Sequence, residues 1–204
     1  VAVPSPSGVG APFFPLTFSE PTGLSNQKLK FTFLKECLYK MSERKNLMTY
    51  DARQVANWFV NRAGRDGKTL SLMSLLKLTY ISHGWHLETR NMPLFSNRIE
   101  AWQYGPVVPE VYRDFRKQGI NVSAPVNSVP DASFTEQDED FLEQIYKIYG
   151  SLAAFQLSDI THVPGGPWHI ATKTGGYYAP ITDDLIKQHY VLKRAEAKKH
   201  IANA

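Results

Sequence analysis

Two histidines three residues apart, in His83-Gly84-Trp85-His86, are the residues in this chain whose type and spacing come nearest to a metal site. Zinc on a helix is usually gripped at i, i+4 with an acid nearby, because that spacing aims both rings at one ion. Here the spacing is i, i+3, and no glutamate lies between the pair to act as a base. A third ligand could come from His162 or His169. A metal-dependent hydrolase using His83 and His86 with His162 or His169 is therefore the alternative functional reading. Core or hydrogen-bonded histidines are the plainer expectation, so neither a metal site nor a cofactor is expected.

Other reactive groups are explained more simply by structure. Cys37 could be a thiolate beside Lys35 and Lys40, but it shares an apolar stripe with Leu29, Phe33 and Met41, which suits a buried small hydrophobe. The acids at 136–140 (EQDED) lack the spacing of a calcium loop and sit where the first turn of a helix favours negative charge. No nucleophile elbow, phosphate loop or dinucleotide-binding glycine pattern occurs, and the glycines and prolines of HVPGGPW read as a turn. No catalytic residue is assigned.

What remains is aromatic. Trp85, Trp102, Tyr104, Tyr112, Trp168, Tyr177 and Tyr178 fall in or beside turns and helix ends, where a side chain can be half exposed. Tyrosine, tryptophan and arginine anchor protein interfaces. The candidate partner-binding residues are Trp102, Tyr104, Tyr112 and Arg113, with Trp168 as a neighbour; for any single aromatic, a place in the core is the competing expectation.

The elements that must position these groups are mostly helical. Thr49 or Asp51 caps a helix carrying Val55, Trp58, Phe59 and Ala63, and Ser71 caps a strongly apolar central helix with Leu72, Leu75, Leu76, Thr79, Tyr80 and His83 at helical spacing. RIEAWQY (98–104) has the content of one short strand, stopped by Gly105-Pro106, and Pro109 suits the first turn of the next helix. Thr135 begins a helix with Phe141, Leu142, Ile145 and Ile148 as its stripe. Ser151 is the expected cap of another, running to about Thr161. Pro167 starts a short one, TGGYYAP is a turn or hairpin, and Thr182 caps the last. The expected fold is mainly α: a compact single domain of about seven helices with one or two short strands forming a small hairpin, plus a flexible N-terminal extension.

The 204 residues suit one sizeable domain, and 43% apolar and 21% charged residues are ordinary for a soluble globular protein. The net charge of +4 lies at the ends: 1–47 and 187–204 are basic, while the residues between them carry a net negative charge. A nucleic-acid-binding core would carry its positive charge on the fold itself, so no direct nucleic-acid partner is expected. With a single cysteine, no apolar run of about 18 residues and no signal-peptide pattern, a cytoplasmic protein without membrane partners is expected.

Four ordered blocks then point to a family: LMSLLKLTYISHGWHL (72–87), PLFSNRIEAWQYGPVVPEVYRDF (93–115), LSDITHVPGGPW (157–168) and PITDDLIKQHY (180–190). Together they resemble the Panacea domain of SocA-like antitoxins, also found as phage-associated proteins of the GepA type. The resemblance covers about 48–190, leaving 191–204 as a basic helix end or tail. It implies a helical, non-enzymatic antitoxin that binds its cognate toxin directly, the toxin being encoded next to it, and in the SocA type an adaptor delivering the toxin to the ClpXP protease. No catalytic residues come with the family. Residues 1–47 lie outside the resemblance: a tail to about 24, then a short amphipathic helix. They are read as an upstream start-site artefact with Met41 or Met48 as the initiator, the other reading being a partner-binding segment.

Overall fold

The computed structural model of the chain describes residues 49–202, so the expected N-terminal helix and Cys37 fall outside the described residues. Within them lie seven helices: α1 (Ala52–Arg65), α2 (Leu72–Arg90), α3 (Pro109–Phe115), α4 (Glu136–Tyr149), α5 (Ala154–Thr161), α6 (Pro167–Gly175) and α7 (Asp183–Ala202). Five strands of two to four residues accompany them: β1 (Leu70–Ser71), β2 (Ile99–Trp102), β3 (Gly105–Val107), β4 (Asn121–Val122) and β5 (Pro180–Ile181). The fold is mainly α, as the helical periodicity implies.

Local chemistry explains most of the boundaries. Asp51 caps α1, accepting from Arg53 N while Gln54 Oε1 accepts from Asp51 N at 2.9 Å, a reciprocal arrangement that satisfies donors at both positions. Ser71 Oγ accepts from Ser74 N at 3.0 Å at the start of α2, and Thr135 Oγ1 accepts from Asp138 N at the start of α4. Pro109 and Pro167 open α3 and α6, where a missing N–H costs nothing. For α5 the expected Ser151 is displaced: the cap is Ala153, whose amide donates to Gln156 Oε1 at 2.9 Å.

The chain after Trp102 also departs from expectation. Gly105-Pro106 does not simply end the strand; it forms the returning strand β3, with Trp102 opposite Gly105 and Ala101 opposite Pro106. The three-stranded sheet runs β3-β2-β5, all antiparallel, and β3 is an edge, the one place where a proline without an N–H is readily tolerated. A second sheet pairs β1 with β4.

The core is organised about α2. Helices α1, α3, α4, α5 and α7 and strand β3 all pack on it, and Leu75, Leu78, Ile81 and Leu87 are buried together with Lys77, Thr79, Ser82, His83 and His86. With neighbours on every side, α2 is buried all round rather than along one stripe. The helix α7 lies so close that the buried Tyr190 ring occupies the place of a side chain at Gly84; a Cβ there would fall 2.2 Å from Tyr190 Cε2. Tyr190 meets Trp85 edge-on at 5.0 Å and Tyr80 at 6.4 Å. No helix among the described residues is long and apolar enough to cross a membrane.

Gly84 is thus a packing residue, and a pair of glycine replacements checks this. Gly84→Ala should lower stability by about 1–3 kcal/mol through overpacking against Tyr190. Gly64→Ala on α1, where an added Cβ meets nothing within 4 Å, should raise it by about 0.5–1 kcal/mol. Urea denaturation of both variants reads the two signs.

Candidate functional site

The face that gathers the sequence-derived candidates is built from the β2–β3 hairpin, α3, the turn before β5 and the start of α6, and it rests on one buried amine. Lys77 on α2 is fully buried, and its Nζ donates to Tyr104 O and, at 3.3 Å, to Pro106 O. Those carbonyls belong to the hairpin's turn and outer edge, so the lysine holds the tip against the central helix. Gly105, at φ +102°, supplies the left-handed conformation that returns the chain after Gln103 and Tyr104, neither of which has positive φ. It also makes room for the amine: a Cβ at Gly105 would lie 2.3 Å from Lys77 Nζ and 2.8 Å from His162 Cε1. Burial pushes the Lys77 pKa down to about 7.

Trp102 is half-buried at the end of β2, where its Nε1 donates to the buried Glu100 Oε2 at 2.8 Å. The same carboxylate pairs with the exposed Arg98. The Trp102 ring meets Tyr112 of α3 at 4.9 Å and Tyr178 at 5.6 Å, both edge-on, and Arg116 lies over the Tyr112 ring at 5.5 Å. Tyr178 takes φ +69°, uncommon for a bulky residue. Its amide donates to Ala101 O at 2.8 Å, and Ala101 N donates to Ala179 O at 2.9 Å. Trp168 donates from Nε1 to Trp102 O at 2.8 Å and packs on the His162 ring at 4.1 Å.

The structure therefore brings Trp102 into contact with Tyr112 and Trp168, while Tyr104 lies in the adjoining turn and Arg113 follows Tyr112 along α3. Their exposure differs. Tyr104 is 65% exposed and Tyr178 66%, whereas Trp102, Tyr112 and Trp168 are half-buried and hold the corner together. Arg113 is exposed, its guanidinium 3.8 Å from Asp114. Lys77, Glu100, Arg116 and Tyr178 are members of this site that sequence reasoning missed or left out of the candidate set. A lone lysine inside the apolar run LLKLTY was the available signal for Lys77.

The four histidines do not converge. His83 Nε2 bonds Asp183 Oδ1 at 2.9 Å while its ring packs on Phe95. His86 Nδ1 bonds Met92 O at 2.8 Å, with its Nε2 3.5 Å from Asp138. His162 Nδ1 bonds Ser158 O at 2.7 Å, and His169 Nδ1 accepts from Gly165 N. Burial lowers the pKa of His86. For Asp138, burial pushes the carboxyl upward, but hydrogen bonds from Tyr50 and Thr135 and the charge of Arg90 hold it below the usual carboxylate value. Among the described residues, no group of three or more His, Cys, Asp or Glu side chains is placed to hold a metal ion.

Fold and face define a small helical scaffold that presents an aromatic surface on a pinned hairpin. The family model for the antitoxin SocA-like Panacea domain matches residues 75–169. The protein Antitoxin SocA of Caulobacter vibrioides (strain NA1000 / CB15N) is 32% identical over 154 residues, spanning 69% of this chain and 82% of that relative. No solved structure matches the chain. The chain belongs to the SocA-like antitoxin family with its Panacea domain.

The buried amine has a measurable signature. A lysine depressed to about 7 in the fold and near 10.5 when unfolded leaves the unfolded chain with more bound protons between those values. Stability linked to Lys77 therefore rises with pH across that window, by on the order of 1 kcal/mol per pH unit. Urea denaturation at pH 7, 8.5 and 10 should show the wild type gaining on Lys77→Met. Parallel curves would mean that the amine stays charged inside the fold.

Proposed function

We propose that this chain is an antitoxin that neutralises a cognate protein toxin by direct binding through the Trp102–Tyr104–Tyr112 face, without catalysis, and that it acts in the cytoplasm. The observation that carries the proposal is an aromatic, partly exposed surface mounted on a hairpin fixed from beneath by Lys77, in a chain of the SocA-like family. Rigid aromatics suit this role: a nanomolar complex needs about 12 kcal/mol, usually from a few buried aromatics and arginines, and a preorganised loop loses little entropy on docking. The finer part of the proposal is that the bound toxin is handed to the ClpXP protease, the antitoxin serving as adaptor. The toxin is expected to be encoded beside the antitoxin.

Exposure decides which residues make clean probes. Tyr112 packs on Trp102, so alanine there should lower the melting temperature as well as binding. Tyr104 and Arg113, both largely exposed, separate the two effects. Co-expression with the neighbouring small reading frame should rescue growth from that frame's toxicity. Tyr104→Ala and Arg113→Ala should each weaken rescue and lower affinity about tenfold or more, with melting temperatures unchanged. A frame that is harmless alone, or equally toxic with and without this chain, defeats the antitoxin reading. Toxin turnover that depends on both this chain and ClpXP tests the adaptor step; turnover independent of either removes that step while leaving neutralisation intact.

A further inference from the structure

Most arginines elsewhere in the described residues are fastened to carboxylates, Arg65 at the end of α1 excepted, and those bordering the aromatic strip are held less firmly. Arg53 bonds Asp51 and Asp114, Arg62 bonds Glu143 and Asp66, and Arg90 reaches Asp138 and Gln137 O. Arg194 grips Glu88. These guanidiniums are fastened to the fold itself. On α3 and at Arg116, the residue that caps its C-terminus, the pattern changes. Arg113 makes only a long ion pair, at 3.8 Å, to the buried Asp114, whose carboxylate is already bonded by Arg53 and Ser128. Arg116 has no carboxylate partner among the described residues and lies instead over the Tyr112 ring. Both are exposed, as is Arg98 at the other end of the strip.

Resting on the face proposed above, we infer that the partner element seated there is an acidic protein segment: one that sets an apolar or aromatic side chain against Trp102, Tyr112 and Tyr178 and places Asp or Glu carboxylates on the Arg113 and Arg116 guanidiniums. The chemistry is complementary. A guanidinium offers a planar fork of donors that takes a carboxylate in two parallel hydrogen bonds. Lying over the Tyr112 ring, Arg116 is attracted to the aromatic face without using up its N–H donors.

Charge selects a protein acid over a phosphate backbone. The buried carboxylates of Glu100 and Asp114 lie beside Arg98 and Arg113, so acids interrupt the positive charge of the surface while donors remain turned outward. A duplex, with about one charge per 1.7 Å, needs a strongly positive track. Local carboxylates need only well-aimed donors.

The test uses the full chain and the protein made from the neighbouring reading frame, with affinities measured by calorimetry at 50 and 500 mM salt and a 20-base-pair DNA duplex as the competing probe. The expected result is at least a tenfold loss for Arg113→Gln and for Arg116→Gln, partial retention by Arg113→Lys, and unchanged melting temperatures. Wild-type affinity should fall by less than about a hundredfold between the two salts, and the duplex should bind weakly. If Tyr104→Ala weakens binding while both glutamine variants bind normally, the face stands and the acidic partner is wrong. If none of the three weakens binding, or the reading-frame product does not bind at all, the face and the acidic partner fall together. Tight duplex binding with a drop of a thousandfold or more across the same salt range overturns the proposal in favour of nucleic acid.

Discussion

The hydrogen bonding of the buried Lys77 amine to the backbone of the β2–β3 hairpin is the interaction on which the candidate face depends. A buried lysine is costly unless its donors are satisfied, and here the hairpin carbonyls Tyr104 O and Pro106 O supply acceptors. The dependence runs both ways, since carbonyls on the outer edge of β3 have no strand partner beyond them. Gly105 permits the approach, His162 closes against it, Trp168 packs on His162, and Trp168 in turn holds Trp102 O. Each link is a short-range contact. Together they make the tip a fixed platform rather than a loose loop.

The same logic runs along α2. Four of its side chains tie the central helix to different neighbours: Lys77 to the hairpin, His83 to the start of α7 through Asp183, Trp85 to Tyr149 of α4 at 2.9 Å, and His86 to the loop carbonyl of Met92. Groups that suggest chemistry when read as a string are cross-braces in a helix buried on all sides. Asp138 serves likewise in α4, taking bonds from Tyr50 and Thr135 and an ion pair from Arg90.

How much was legible follows from how local the signal is. Ser71, Thr135, Pro109 and Pro167 mark helix starts by chemistry confined to one turn, and the structure places helices there. Strand β3 was hidden because Gly-Pro reads as a stop, and only pairing at a sheet edge turns it into a strand. The two-residue strands β1, β4 and β5 are too short for any alternation to show. The aromatic cluster was legible in kind and partly in membership. Tyr178 and Arg116 were missed as members because they join Trp102 and Tyr112 only through contacts between the 176–179 turn, β2 and α3. Lys77 was missed because its burial is decided by tertiary packing.

Membership in the SocA-like family is shown, and the central proposal built on it is that this chain works by holding another protein against its hairpin corner. Hydrogen–deuterium exchange of the chain, alone and in complex with the product of the neighbouring reading frame, tests that claim most directly. Protection should appear at 101–116 and 176–179 and leave the exposed side of α7 around Val191 and Leu192 unchanged. Protection confined to α7, with the hairpin and α3 exchanging as in the free chain, would contradict it.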